Sequence, residues 1–262
     1  SRSHEIPIGL LGCGTVGSGV LQLLQEKIGL YAHRTQVRPV IKKILVRDIT
    51  RQRDGIDLDL FTTDPADILD DPDIQIVVEV MGGIDAAKEY VLQAIHTGKH
   101  IVTANKELMA KHGDVLFDAA TEAGVALHYE AAVAGGIPII QTLKRSLASN
   151  TLDSVYGIIN GTTNYILSAM TEEGREFQEV LTEAQAKGFA EADPTDDIEG
   201  FDAAYKLGIL ASLVFNQRIN VGDIHRVGIQ QISAQDIDYA KQFGYVIKLL
   251  AIAKRTENGY EA

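Results

Sequence analysis

Two ionisable residues four positions apart, Asp202 and Lys206, stand in a run that is otherwise almost wholly apolar, residues 201–215 (FDAAYKLGILASLVF). On a helix that spacing puts both on one face. A helix apolar all round is a buried one, and there an aspartate and a lysine are costly unless they line a polar cleft. The alternative, a surface ion pair worth about 0.2–0.5 kcal/mol, needs a solvated face that this run lacks. Desolvation lowers the pKa of a buried lysine and a neighbouring carboxylate raises it again. Lys206 is therefore predicted to move a proton as general acid or base, the step that must accompany hydride transfer at a carbinol carbon. Just upstream, residues 191–199 (EADPTDDIE) place five carboxylates in nine positions. Such a stretch suits an ammonium group or a divalent metal, or is a solvated acidic loop. The EF-hand spacing is absent, and nearness to Asp202 and Lys206 favours the ammonium.

At the other end of the chain, Gly12-Cys13-Gly14-Thr15-Val16-Gly17 has the form G-x-G-x-x-G. The pattern alone is weak. Here it follows a strand-like run, residues 6–11, and opens a helix-like one, residues 16–26, which is the context of a dinucleotide fingerprint. Gly12 permits the tight turn, Gly14 lets a pyrophosphate approach the backbone, and Gly17 lets helix and strand pack closely. The N–H groups and dipole at the helix start then hold phosphate. Such a unit usually carries an acid at the end of the second strand for the ribose hydroxyl. Arg47 occupies that place and is followed by Asp48. An arginine there accepts a 2′-phosphate, which leans towards NADP; Asp48 keeps NAD open, and a solvent-facing Arg47 is the plainer alternative. Two more segments are expected beyond strand ends, where ligands bind in open α/β sheets: Met81-Gly82-Gly83 and Thr103-Ala104-Asn105-Lys106. Lysine is unusual at a helix start, so Lys106 is a candidate for cofactor or substrate.

The elements that must position these residues follow from periodicity. Strands are expected at residues 6–11, 37–46, 74–80, 100–103 and 125–129. Helices are expected between them at 16–26 (with Val16, Val20, Leu23 and Leu24 inward), 86–96 and 107–122, the last broken near Gly113. Strands alternating with helices predict a parallel sheet with right-handed crossovers. From residue 131 the character changes. A small-residue junction (AAVAGGIP) precedes a helix at 139–148 and a strand at 155–160 ending on Gly161-Thr162-Thr163-Asn164. A helix at 177–187, the acidic loop, the helix at 201–215 and a strand or buried helix at 245–253 follow. Two domains are predicted, 1–130 and 131–262.

The composition is that of an ordinary globular protein, 45% hydrophobic and 23% charged. The formal net charge of -12 opposes general affinity for nucleic acid or anionic membrane, since both need an excess of Lys and Arg. A single cysteine, Cys13, excludes an internal disulfide and a thiolate metal cluster and suits a reducing, cytoplasmic compartment. No run nears the roughly 20 apolar residues of a membrane helix, and the polar start, residues 1–5, has no signal-peptide pattern.

The motifs together resemble one family, homoserine dehydrogenase. They are GCGTVG at 12–17, VVEVMGG at 77–83, VTANKEL at 102–108, YEAAVAGGIP at 129–138, NGTTNYIL at 160–167 and GFAEADPTDDIEGFDAAYKL at 188–207. The resemblance implies an N-terminal Rossmann doubly wound parallel sheet followed by an α+β catalytic and dimerisation domain. It implies NAD(P)-dependent interconversion of L-homoserine and L-aspartate 4-semialdehyde, on the route to threonine, isoleucine and methionine. By its pattern Lys206 exchanges the proton, Glu191 binds the substrate ammonium, Asp202 orients substrate and lysine, and Asp197 supports the pocket. Lys106 lies near nicotinamide and substrate, and Gly161 and Thr162 touch the substrate or the nicotinamide ribose. The family pattern also implies a monovalent cation, sodium, on Glu130 and the carbonyls of Val133, Gly135 and Ile137; carbonyl oxygens suit hard cations. Members usually run further, so the resemblance implies a second domain incomplete at its C-terminus and, at full length, a homodimer or larger assembly. Two other readings are a dehydrogenase of another amino-acid semialdehyde or hydroxy acid, and a dinucleotide-sensing module without catalysis. The Asp202/Lys206 pair opposes the second.

Overall fold

The computed structural model of the chain describes residues 4–51, 53 and 55–262. It divides into two compact units, Ser1–Ile137 and Pro138–Ala262. Residues 1–3 lie outside the described part, and the polar His4 and Glu5 already belong to the first strand.

The first unit alternates strands and helices: β1 (His4–Leu11), α1 (Thr15–Thr35), β2 (Val37–Leu45), β3 (Phe61–Thr62), α2 (Ala66–Leu69), β4 (Ile76–Glu79), α3 (Asp85–His96), β5 (His100–Thr103), α4 (Lys106–Ala123) and β6 (Leu127–His128). The six strands pair in parallel in the order β3-β2-β1-β4-β5-β6. That is the doubly wound arrangement, whose crevice opens between β1 and β4, where the strand order reverses. Near-continuous apolar strands are what a parallel sheet covered on both faces needs; Leu10, Leu11, Ile44 and Val77 are fully buried.

Three local expectations change. Helix α1 runs on past Glu26 to Thr35, ending with Gln36 in left-handed backbone. Its inner face is also turned: Val16 and Leu23 are exposed, while Gly17 and Leu21 are buried. The cause is at Gly17, where a Cβ would stand 2.4 Å from the Gly12 carbonyl oxygen; that close approach sets the helix rotation, and the apolar count does not. Helix α4 passes unbroken through Gly113, which is buried on its inner face. One glycine costs a helix about 1 kcal/mol relative to alanine, too little to interrupt five turns packed on a sheet.

The second unit holds β7 (Ser154–Gly157), α5 (Gly161–Glu173), α6 (Phe177–Ala186), α7 (Thr195–Ile198), α8 (Phe201–Phe215), α9 (Ala234–Gln242), β8 (Ala251–Thr256) and β9 (Gly259–Glu261). The strands form an antiparallel sheet in the order β7-β8-β9. Helix α8 lies on it: Leu207, Ala211, Val214 and Phe215 pack with Ala251, Ala253 and Val155. A second cluster joins α5 and α6 through Ile166, Leu167, Met170, Val180, Leu181 and Ala184. The expected helix at 139–148 is a short turn of π type at Thr142–Ser146. The last apolar run resolves to a strand, but one beginning at Ala251. Helices α5 and α9 were not expected, and the acidic loop contains α7. None of the described helices is long and apolar enough to cross a membrane.

Candidate active site

In the first unit the glycine turn stands at the C-terminal end of β1, with Val80 at the end of β4 behind it. Gly12 adopts φ +99°, and a Cβ there would meet the Val80 carbonyl at 2.8 Å. Gly14 is the N-cap of α1 and faces open space, with no atom within 4 Å of where a Cβ would stand. No side chain caps the helix, so the first-turn N–H groups of Thr15, Val16 and Gly17 have no intrahelical acceptor. An open glycine beneath a row of such donors fits a phosphate.

Arg47 and Asp48 are both exposed after β2. The Asp48 carboxylate is engaged within its own turn, accepting from the Thr50 amide (2.8 Å) and hydroxyl (2.7 Å). Those bonds, the hydroxyl first, hold its pKa below the usual carboxylate value.

At the ends of β4 and β5 a buried carboxylate ties two turns together. Glu79 is fully buried. One oxygen accepts from the Met81 amide (2.9 Å) and the other from the Thr103 hydroxyl (2.6 Å). Thr103 in turn accepts from the Asn105 amide (3.0 Å), and the Asn105 side chain donates to the Gly83 carbonyl (2.6 Å) while capping α4 at Leu108 (3.0 Å). The two segments singled out beyond the strand ends are thus one hydrogen-bonded structure, with half-buried Lys106 opening α4 on its rim.

In the second unit Asp202 is 4% exposed. Lys206 donates to its Oδ2 at 2.6 Å and to the Ile159 carbonyl at 2.8 Å. An ammonium has three N–H donors, so one remains for whatever fills the adjoining cleft. That cleft, about 600 Å³, is lined by Asn160, Gly161, Thr162, Tyr165, Gly188, Phe189, Asp197, Asp202 and Lys206. One amide organises its floor. Asn160 Nδ2 donates to Asp197 (2.7 Å) and to Asp202 (2.9 Å), and its Oδ1 accepts from the Thr163 amide (2.8 Å) and hydroxyl (2.7 Å). Tyr165 and Phe189 pack as a wall, 4.9 Å between ring centroids with the ring planes tilted by 56°, and Thr162 donates to the Phe189 carbonyl (2.9 Å).

The structure therefore gathers Gly161, Thr162, Asp197, Asp202 and Lys206. Glu191 is exposed and does not line the cleft; its backbone carbonyl accepts from Gln185. Asp193 is spent on Thr195 at the start of α7. Along the segment proposed for a cation, Val133 is buried, Gly135 and Ile137 are exposed and Glu130 is half-buried. Ala134 (φ +50°) and Gly136 (φ +86°) curl the backbone there. The donor set, one carboxylate and three carbonyls, is hard-oxygen chemistry and fits a cation such as sodium. Sequence reasoning passed over Asn160 and Glu79. Asn160 was readable as a helix cap before Gly-Thr-Thr; its second function depends on residues 37 and 42 positions away.

Family models cover most of the chain. One described as "Homoserine dehydrogenase, NAD binding domain" matches residues 12–130, and one described as "Homoserine dehydrogenase" matches residues 138–261. The Bacillus subtilis homoserine dehydrogenase is 47% identical over 95% of this chain and 58% of its own length. The crystal structure of a homoserine dehydrogenase from Thiobacillus denitrificans superposes with a TM-score of 0.93, at 47% identity, over 98% of this chain and 59% of that one. A putative homoserine dehydrogenase from Archaeoglobus fulgidus is 33% identical with a TM-score of 0.87, over 95% of this chain and 81% of its own. A hyperthermophilic archaeal homoserine dehydrogenase in complex with NADPH gives a TM-score of 0.79 at 25% identity, over 95% of this chain and 79% of that one. The chain thus spans less than two thirds of the first two of these relatives.

Proposed function

The chain belongs to the homoserine dehydrogenase family, and from that premise we propose that it interconverts L-homoserine and L-aspartate 4-semialdehyde with a nicotinamide dinucleotide. The observation that carries the reading is the Lys206–Asp202 pair at 2.6 Å beside a cleft of small-molecule size.

The bound nicotinamide supplies or takes the hydride. What the chain supplies is the proton. In the reducing direction the Lys206 ammonium gives a proton from Nζ to the oxygen formed from the aldehyde; in the oxidising direction neutral Nζ takes it from the hydroxyl. Asp202, with the Ile159 carbonyl, aims the nitrogen. Gly161 and Thr162 touch the substrate or nicotinamide ribose, and Lys106 serves the substrate and nicotinamide. Asp197 lines the cleft and supports the pocket, whereas Glu191, the residue assigned to the substrate ammonium, is exposed and outside the cleft's lining.

The first unit serves as the dinucleotide-binding domain, with Gly12, Gly14, Thr15, Val16 and Gly17 cradling the pyrophosphate and Thr103 and Lys106 at the nicotinamide end. NADP is the preferred cofactor. Arg47 is exposed at the end of β2, and the Asp48 carboxylate that would serve an NAD ribose is occupied by Thr50. The second unit serves as the substrate and dimerisation domain of a cytoplasmic protein that is a homodimer or larger assembly at full length; the outward pair Tyr156 and Ile252 on β7 and β8, 74% and 45% exposed, supports a second copy there. A monovalent cation, sodium, would be held by Glu130 with the carbonyls of Val133, Gly135 and Ile137. The test is absorbance in the reduced-nicotinamide band with L-homoserine and NADP or NAD in turn. Homoserine-dependent reduction, faster with NADP, is expected. Reduction with other hydroxy amino acids but not with homoserine overturns the substrate, and equal rates with both cofactors overturn the role of Arg47.

A further inference from the structure

We propose that Asn160 is a positioning residue that holds Asp202, and through it Lys206, in the geometry of proton transfer; the proposal rests on the acid/base role of Lys206 given above. Asn160 is 5% exposed, and both polar atoms of its side chain are engaged. Its orientation is fixed by donor chemistry. The Thr163 amide can only donate, so the oxygen it meets at 2.8 Å is Oδ1, and Nδ2 must face the two carboxylates. An amide nitrogen carries two N–H groups. One goes to Asp197 at 2.7 Å and one to Asp202 at 2.9 Å.

The consequence is a chain of contacts with no slack. Asp202 Oδ2 accepts from both Asn160 Nδ2 and Lys206 Nζ. The carbonyl that takes the other Lys206 proton belongs to Ile159, the residue joined to Asn160 in the backbone. Asn160 therefore sets both points that aim Lys206, one through its side chain and one through the peptide before it. Two carboxylates that share one donor repel whenever both are charged. A single amide donating to both keeps them side by side, which aspartate, serine or alanine cannot do.

Asn160 is also the N-cap of α5, and the two functions can be separated. Aspartate and serine cap helices about as well as asparagine, but neither donates two N–H bonds. Alanine loses both functions. The expected result for Asn160→Ser and Asn160→Asp is that far-UV circular dichroism and NADPH affinity stay near wild type. The kcat of aldehyde reduction should fall roughly 10- to 100-fold, the scale of a small misplacement of a catalytic group. Asp is expected to fall below Ser, since it adds a third carboxylate. If catalysis follows the cap instead, with Ser and Asp within about twofold of wild type and only Asn160→Ala impaired, the proposal is overturned. A crystal structure of Asn160→Ser supplies the reading independent of activity: Asp202 and Lys206 displaced supports it, and both unmoved overturns it. A wild-type chain that reduces no semialdehyde would instead count against the acid/base reading.

Discussion

Asp202 is a charge almost removed from water, and its contacts account for why that is tolerated. The Lys206 ammonium and the Asn160 amide supply donors to one oxygen, and charge-assisted bonds of this kind are about twice as strong as neutral ones. Lys206 is less enclosed, with 19% of its side chain exposed, which leaves it open to the cleft. Lys206→Ala is expected to lower turnover about 10²- to 10⁴-fold, the usual consequence of losing a general acid or base, with NADPH affinity little changed. The same substitution leaves Asp202 without its cation, so stability falls too, and Lys206→Arg, which keeps a cation beside Asp202 but does not give up its proton, separates the two effects. Steady-state kinetics at saturating NADPH check this; a loss of less than about tenfold in both variants removes Lys206 from the role.

At the scale of elements, the α5–α6 pair shows how a cleft wall is braced from behind. Tyr165, on α5, donates to Glu183 on α6 at 2.9 Å, and Glu183 also pairs with Lys187 and with Arg175, in the turn between the helices. Those partners, Lys187 first, then Arg175 and the Tyr165 hydroxyl, hold the Glu183 carboxyl down to about 2. A depressed acid contributes stability above its unfolded value and loses it as pH falls through its folded one. The contribution is therefore complete above about pH 4.5 and gone near pH 2. Melting temperature measured across that window should fall more steeply for wild type than for Glu183→Gln; parallel curves would show that the network adds nothing. The network is open to solvent on one side, so added salt should flatten the difference. The Glu79 network does the same service for the first unit, joining the turns after β4 and β5 through one buried carboxylate.

At the scale of the molecule, each unit has its own core: Leu10, Leu21, Ile44 and Phe61 cluster in the first, and the α5–α6 and α8–sheet clusters lie in the second. A ligand that binds one folded unit stabilises it by about 2.7 kcal/mol at a hundred times its dissociation constant. With NADPH, hydrogen exchange is expected to slow most in residues 9–17, 79–83 and 103–106. Protection confined to the second unit would contradict the assignment of the cofactor to the first.

Much of this was readable from the chain. Local rules suffice where the signal lies within one turn or strand: the fingerprint glycines, the apolar parallel strands, and helix α8 at 201–215, an apolar run too long for a strand. The pairing of Asp202 with Lys206 was equally local, one turn apart. What the sequence could not determine depends on groups far apart in it. The rotation of α1 is set by contact between Gly17 and the Gly12 carbonyl, against its own apolar pattern. Glu79 reads as one more strand residue until Thr103 arrives from the neighbouring strand. Asn160 reads as the last residue of a strand until α7 and α8 bring Asp197 and Asp202 to its side chain. Glu191 and Asp197 look alike in an acidic run, and only the turn of α7 sends one to the cleft and leaves the other exposed. Periodicity reports which face an element buries; it carries no information about which polar groups meet there, because those contacts exist only once the chain has closed.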